Sequence, residues 1–165
     1  MFLLFLLILF LLLIVVITLN QLIQIPDGSY NNVRTLNYSQ YTLLEELIIG
    51  DDCFVNVNEF MINGLNELKS VKIGRNSFTN IKSNDRWDYN KANNPNRSFS
   101  ILNCFELGSI EIGEYSFSDY GGGFELKNLP KVSTIKIGEI GSSSWNFYFS
   151  SFVIKGIINL YIANE

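Results

Sequence analysis

A short sequence pattern recurs along this chain at nearly regular intervals and restricts the folds that the chain can adopt. The pattern consists of Leu or Val, two variable residues, an aliphatic residue, one variable residue, Ile and Gly. Its four copies begin at Leu44, Leu68, Leu107 and Val132. Because repetition with a period of about 20–50 residues is typical of stacked-repeat proteins, the chain is predicted to be a solenoid.

A second element precedes the first at a constant distance of eight residues. It consists of an aromatic residue or Leu, one variable residue and an aliphatic residue or Tyr. Its copies begin at Leu36, Phe60, Phe99, Phe124 and Phe152. The last copy lies eight residues before Leu160, where a fifth and incomplete repeat is expected to begin.

Both elements alternate apolar and polar residues, as in Val71-Lys72-Ile73 and Phe124-Glu125-Leu126. A period of two is typical of short strands with one buried face. A unit of 24–25 residues with two such strands cannot bury its apolar side alone, whereas stacked units can. The predicted fold is therefore mainly β, a solenoid with two short parallel strands in each 24–25-residue unit.

Stacking of the units predicts that equivalent residues form columns. The glycines that end the pattern are expected in equivalent turns, where a tight turn or a positive φ favours glycine. These glycines are Gly50, Gly74, Gly113 and Gly138. The preceding isoleucines Ile73, Ile112 and Ile137 are expected to be buried against one another. Three copies continue with Cys-Phe or Ser-Phe four and five residues after the Ile, and the fourth breaks this pattern with Gly141-Ser142.

The repeats resemble those of the leucine-rich repeat superfamily, and within it those of BspA-like surface leucine-rich repeat proteins of bacteria and protists. The likeness lies in the Leu-x-x-Ile-x-Ile strand and in the aromatic residue near a turn, and it covers about Leu36 to Leu160. It implies a leucine-rich-repeat-type solenoid over residues 21–165, with about four to five units and the last one incomplete. Such proteins carry no catalytic motif to transfer, so the resemblance implies a binding surface and no enzyme.

One connector between the two elements is much longer than the others. The connectors from the repeat Ile to the next aromatic residue span 11, 26, 12 and 15 residues. The excess in the second is a polar insertion at residues 82–96, predicted to protrude as an irregular rim loop that the solenoid does not need. Its Arg86, Trp87 and Tyr89 are candidates for partner binding, since Arg and aromatic residues dominate many interfaces. The alternative is a tolerated insertion without a role.

The last connector contains an aromatic run at residues 145–149. Trp145 and Tyr148 are further candidates for partner binding, and the alternative is that the run fills a widened turn. Two tripeptides, which begin at Asn37 and Asn96, match the N-glycosylation sequon, and they are consistent with a secretory route.

Residues 1–20 form a separate hydrophobic segment. Its first 19 residues carry no charged side chain and, as a helix, would span about 28 Å, close to the hydrocarbon thickness of a bilayer. The length favours a signal anchor, with a cleaved signal peptide and an error in gene prediction as the alternatives. No Lys or Arg precedes the run and no Ala-x-Ala site follows it. The predicted location is the membrane, through residues 1–19, or the cell surface, with secretion as the alternative.

The composition argues against several functions. The chain has no histidine, the commonest general base and zinc ligand. Its two cysteines, Cys53 and Cys104, are too few for a disulfide framework or a Cys-only zinc site. A net charge of −4 without any run of Lys or Arg argues against nucleic-acid binding. No cofactor or metal is predicted.

Three hypotheses for function follow. The first is a non-catalytic module that binds a protein or glycan partner through its sheet and rim loops. The second is a structural membrane-tethered spacer, or a fragment of a longer repeat array, without a specific ligand. The third, a polysaccharide-cleaving solenoid enzyme, would need clustered acidic residues on one sheet face. The outward positions of the repeats instead alternate Lys, Glu, Ser and Thr, which favours the first two hypotheses.

Overall fold

The computed structural model describes residues 21–82, 89–139 and 144–158. In chain order, the elements in these ranges are β1 (Leu22–Ile25), β2 (Glu46–Ile49), β3 (Glu59–Asn63), β4 (Ser70–Ile73), α1 (Tyr89–Ala92), β5 (Ser98–Leu102), β6 (Ser109–Ile112), β7 (Gly123–Lys127), β8 (Thr134–Ile137) and β9 (Ser151–Lys155). Within the described ranges, no helix has the length and apolar character needed to cross a membrane. The hydrophobic segment at residues 1–20 lies outside them, so the assignments made for it stay predictions.

The strands form two parallel sheets, which confirms the predicted β-solenoid with two strands per unit. The first sheet has the order β1-β2-β4-β6-β8 and the second the order β3-β5-β7-β9. The chain alternates between the sheets from β2 onward and winds as about five coils, numbered 1 to 5 by the strands of the first sheet. Equivalent residues are 24 or 25 apart, and 39 apart across the insertion in coil 3.

Coil 1 extends the solenoid beyond the region that the repeat pattern covers. Its strand β1 pairs in parallel with β2, so that Ile23 lies opposite Leu47 and Ile25 opposite Ile49. The pattern does not identify this coil because Pro26 stands in the sequence where later coils have the glycine. The alternation of apolar residues in β1 alone is too short a signal.

The four repeat glycines occupy equivalent positions, as predicted. Each N–H donates to the isoleucine carbonyl of the preceding coil over 2.8–2.9 Å. The reason for glycine is only partly the predicted one, since among the four only Gly138 has a positive φ, of 74°. A Cβ on Gly113 would lie 2.6 Å from the carbonyl carbon of Gly74. At Gly74 and Gly113, close approach of the backbone of the preceding coil therefore excludes a side chain, whereas at Gly138 the positive φ favours glycine.

The isoleucine column is buried in coils 3 and 4 but not in coil 5. Ile73 and Ile112 are each 2% exposed and lie opposite each other in the sheet. The prediction that Ile137 is buried as well is wrong, since it is 36% exposed. In the described part of the chain β8 is the outermost strand of the first sheet, so no described strand covers this side chain.

Two columns of aromatic rings run through the core. One column follows the first sheet, with successive ring centroids 4.8–5.4 Å apart, and consists of Tyr30, Phe54, Phe78, Phe117 and Phe147. The other lies in the second sheet, with successive centroids 4.6–5.0 Å apart, and consists of Phe60, Phe99, Phe124 and Phe152. Rings of the two columns meet edge to face, the geometry that aromatic quadrupoles favour.

Coil 5 keeps the first aromatic column although its sequence breaks the pattern at Gly141-Ser142. Phe147 stacks on Phe117 at 4.9 Å and is almost fully buried. It follows the repeat isoleucine by ten residues, whereas its equivalents in coils 2 to 4 follow by five. A longer turn therefore returns the chain to the same column.

A ladder of side-chain hydrogen bonds joins the turns that follow the first sheet. The Ser77 hydroxyl donates to the carbonyl of Gly50 at 2.8 Å and accepts from the buried N–H of Cys53 at 3.0 Å. The Ser116 hydroxyl repeats this one coil later with the carbonyl of Gly74, at 2.6 Å, and the N–H of Ser77, at 2.9 Å. The hydroxyls thereby satisfy backbone groups that have little or no access to water.

We expect Ser77→Ala to lower the free energy of unfolding by about 1–3 kcal/mol, because the buried N–H of Cys53 loses its acceptor. Urea denaturation followed by circular dichroism measures the change. The matched control is Cys53→Ser, which places a hydroxyl in a column already occupied by serine and beside the Pro26 carbonyl that the thiol contacts at 3.1 Å. We expect Cys53→Ser to unfold like the parent chain. If Ser77→Ala also unfolded like the parent chain, the ladder would have no energetic role.

Candidate binding sites

A buried arginine holds the end of the coil 3 insertion. Arg97 lies just before β5 and is 1% exposed. Its guanidinium donates to the carbonyl of Val55 at 2.5 Å and to that of Val57 at 2.8 and 3.2 Å, both in coil 2. It also forms an ion pair with the buried carboxylate of Asp119 in coil 4. One side chain therefore links three successive coils.

Tyr120 completes this buried network. Its ring faces the Arg97 guanidinium at 5.0 Å from the centroid, a cation–π contact. Its hydroxyl donates to the carbonyl of Val57 at 2.7 Å. Burial raises the pKa of Tyr120 above its ordinary value because it disfavours the charged phenolate. The phenol therefore stays a hydrogen-bond donor at physiological pH.

The insertion also contacts coil 4 through its backbone. Asn94 forms an isolated parallel bridge with Tyr120. The N–H of Gly121 donates to the carbonyl of Asn94, and that of Gly122 to the carbonyl of Arg97, each at 2.9 Å. A Cβ on Gly122 would lie 2.6 Å from that carbonyl oxygen of Arg97. The glycine run of coil 4 therefore allows the insertion to lie directly against it.

These contacts correct the prediction made for residues 82–96. The segment is not irregular throughout, since it contains α1, in which Ala92 is fully buried, and the bridge to coil 4. Sequence analysis missed Arg97 because the residue appears there only as the middle of a sequon. One signal could have indicated it: the insertion of coil 3 and the glycine run of coil 4 precede the second strand at equivalent places in adjacent units.

A polar pocket lies between the insertion and coil 4. It has a volume of about 370 Å³ and is lined by Asn80, Asn90, Asn93, Asn94, Pro95 and Asp119. Oδ2 of Asp119 accepts from the Arg97 guanidinium and, at 3.1 Å, from the N–H of Asn80. Oδ1 of the same carboxylate is buried and has no hydrogen-bond donor among the described residues. Because that atom is buried, the part of the lining that is open to a ligand consists mainly of neutral amides.

A shallow groove runs over the glycine column beside the first sheet. Its volume is about 240 Å³, and its charged walls are formed by Asp51, Lys72, Arg75, Glu111, Glu114, Lys136 and Glu139. Lys72, Glu111 and Lys136 lie in register on adjacent strands, and Lys72 Nζ is 4.0 Å from a carboxylate oxygen of Glu111. The groove therefore presents both signs of charge along a floor of glycine backbone.

The five partner-binding candidates from the sequence belong to the insertion and to the last connector. Arg86 and Trp87 lie outside the described residues, and Tyr89 begins α1. Trp145 and Tyr148 lie together in the long turn of coil 5, with ring centroids 5.0 Å apart. Tyr148 is 57% exposed, so this turn displays an aromatic surface. A partner-binding role stays a prediction for all five residues.

Both sequon asparagines are exposed. The Asn37 side-chain oxygen accepts hydrogen bonds from the N–H of Ser39 at 2.9 Å and from its hydroxyl at 2.6 Å. Asn96 lies in the turn that precedes Arg97. Glycosylation at either position stays a prediction.

Both cysteine thiols are buried and free of disulfide bonds. Burial raises the pKa of Cys53 and of Cys104 because it disfavours the thiolate, which is the reactive form. We therefore expect neither thiol to react with iodoacetamide in the folded chain at neutral pH, and both to react in guanidinium chloride. Mass spectrometry counts the adducts. Fast labelling of the folded chain would contradict this prediction.

The described ranges contain no group of three or more His, Cys, Asp or Glu side chains placed to hold a metal ion. Comparison of the chain with protein-family models, with curated proteins and with solved structures yields no match in any of the three. The protein is therefore assigned to a structural class by its fold alone. That class is the parallel-strand β-solenoid, here with about five coils.

Proposed function

We propose that the chain is a non-catalytic binding module of the leucine-rich repeat type that takes a protein or glycan partner on its sheet and rim loops. The groove over the glycine column carries the proposal. It combines exposed charges of both signs with a backbone floor, and it extends over several coils. Charged rims and accessible backbone suit recognition of a partner more than they suit chemistry on a substrate.

The assignment to leucine-rich repeats, and to their BspA-like members, belongs to the same proposal. It is supported by the strand pattern, by the unit length of 24–25 residues and by the aromatic column at the turn after each first-sheet strand. We further propose that residues 1–20 act as a signal anchor or signal peptide, which places the solenoid at the membrane, at the cell surface or outside the cell. The amino-terminal sequence of the mature protein distinguishes an anchor from a cleaved signal.

Charge reversal in the groove tests the binding proposal. The double variant Lys72→Glu/Lys136→Glu is expected to lose the partners that proximity labelling identifies around the parent chain, because both lysines line the groove. The matched control is Lys127→Glu/Lys155→Glu, which makes the same change of charge on adjacent strands of the second sheet. Retention of the same partners by both variants would argue against the groove.

The second candidate function is a structural spacer or one part of a longer repeat array. Coil 5 favours it, because Ile137, Phe152 and Ile154 are 36%, 53% and 42% exposed and a further coil would cover them. A spacer requires no ligand, so its function should tolerate charge reversal in the groove. The labelling experiment therefore separates the two candidates.

A further inference from the structure

We propose that the outer end of coil 1 contacts the bilayer interface, so that the axis of the solenoid points away from the membrane. The contact surface, called the end surface below, consists of Leu22, Tyr30 and Arg34 together with the outer edge of β1. This inference rests on the proposed anchoring role of residues 1–20, and it names the part of the solenoid that the anchor brings to the lipid.

The connection between the hydrophobic segment and coil 1 is very short. Only Asn20 and Gln21 separate Leu19, the last residue of the hydrophobic run, from Leu22, the first residue of β1. Three residues of extended chain reach at most about 10 Å, and a headgroup layer is about 5–8 Å thick. An anchor that ends at the hydrocarbon boundary therefore holds β1 within the headgroup layer or directly on it.

The end of coil 1 is apolar and uncovered. Within the described ranges β1 is the outermost strand of the first sheet, so no described strand pairs with its outer edge. Tyr30 is the first ring of the aromatic column and stacks on Phe54, yet Tyr30 is 57% exposed and Phe54 only 2%. Leu22 is also exposed. Tyrosine beside aliphatic side chains is the composition that the interfacial region of a bilayer favours.

The charged residues of coil 1 also suit a lipid surface. Residues 21–45 contain three of them, Asp27, Arg34 and Glu45. Both carboxylates are engaged by coil 2, since Asp27 accepts from the N–H of Asp51 at 2.8 Å and Glu45 forms an ion pair with Lys69. Arg34 is exposed and has no hydrogen-bond or ion-pair partner in the described part of the chain. Its guanidinium is therefore available to lipid phosphates, which attract basic side chains to the membrane surface.

A contact through the side of the solenoid fits less well. The outward row of the first sheet that begins at Leu22 continues with the polar residues Glu46, Ser70, Ser109 and Thr134. Placing this row on lipid would desolvate polar groups, whereas a contact through the end uses the apolar edge alone. With four strand spacings of about 4.8 Å, coil 5 then lies about 19 Å further from the membrane than coil 1. The groove over the glycine column, formed by coils 2 to 5, stays accessible to a partner.

The membrane depth of a fluorophore at each end of the solenoid tests the inference. The full-length chain carries nitrobenzoxadiazole on Tyr30→Cys or, as the matched control, on Tyr148→Cys in coil 5, since both tyrosines are 57% exposed. The native thiols Cys53 and Cys104 are buried, and the parent chain treated with the same reagent serves as the blank. Each protein is reconstituted in phosphatidylcholine–phosphatidylserine vesicles, with and without a lipid that carries a nitroxide on its headgroup. We expect the nitroxide to lower emission at Tyr30→Cys at least about twofold and to leave Tyr148→Cys nearly unchanged, because only coil 1 reaches the headgroups.

A charge reversal separates contact with lipid from mere tethering. Arg34→Glu, added to the labelled Tyr30→Cys chain, is expected to reduce the quenching because a carboxylate is repelled by phosphatidylserine. Lys155→Glu makes the same change of charge on an exposed residue of coil 5 and should leave the quenching as it was. Quenching that Arg34→Glu does not alter would overturn the proposed contact, because the short tether alone would then account for the position of coil 1.

Flotation of the vesicles distinguishes failure of this inference from failure of the proposed anchor. A chain that floats with the vesicles but shows equal quenching at both labelled sites, or none at Tyr30→Cys, would refute the contact through the end and leave the anchor standing. A chain that does not float would refute the anchor and this inference together. The binding groove would then be judged by the proximity-labelling experiment alone.

Discussion

Asp119→Ala should lower the free energy of unfolding by about 3–5 kcal/mol, because it leaves the guanidinium of Arg97 buried without a counter-charge. The total stability of a domain is typically about 5–15 kcal/mol, so much of the solenoid should unfold at lower urea concentrations. Circular dichroism in urea measures the loss. The effect should extend beyond coil 4, because Arg97 also holds the carbonyls of Val55 and Val57 in coil 2.

Two controls separate the buried pair from ordinary charge effects. Glu106→Ala removes the partner of Lys131 in an exposed ion pair and is expected to cost at most about 1 kcal/mol. The double variant Arg97→Met/Asp119→Leu removes both buried charges and should recover much of the stability lost in Asp119→Ala. Equal losses in the single and double variants would mean that the hydrogen bonds to coil 2, and not the charge balance, hold the insertion.

Gly113→Ala is expected to destabilise the solenoid by about 1–3 kcal/mol, since its methyl group would lie 2.6 Å from the carbonyl carbon of Gly74 and 2.8 Å from the backbone nitrogen of Arg75. The obstacle is backbone of the neighbouring coil, which cannot rotate away as a side chain could. Relief requires coils 3 and 4 to separate, and this strains the sheet hydrogen bonds on both sides of the turn. Thermal unfolding of the variant measures the effect.

Two other glycines of the chain serve as controls because neither has a positive φ. A Cβ on Gly108 would be 3.6 Å from its nearest neighbour, an ordinary contact, and a Cβ on Gly123 would meet no atom within 4 Å. Alanine at either position should leave stability unchanged or raise it by about 0.4–1 kcal/mol through the unfolded state. A melting temperature of Gly113→Ala that matches these controls would show that the coils can separate without cost.

The register of both sheets was predictable from spacing alone. A constant distance of eight residues between the two elements allows only one alignment of neighbouring units, because a slip by one residue would turn each strand's apolar side chains outward. The structure therefore places Phe99 opposite Phe124 and Val71 opposite Ile110, as the columns indicate. For the candidate sites, the sequence indicated the location of the insertion but not the pocket beside it.

What the sequence by itself determined is the periodic part of the protein: parallel strands, stacked columns and a glycine at each turn, all of which follow from alternation and constant spacing. The tertiary structure decided the features that depend on the distance between coils and on the path of the chain outside the repeat pattern. The glycine column reflects the distance between backbones, and Phe147 rejoins its column through a longer turn. Arg97 meets Asp119 because the insertion folds back across coil 4, and these two residues stand 22 positions apart without any shared pattern. Such contacts depend on the path of the chain in space, which local periodicity does not specify.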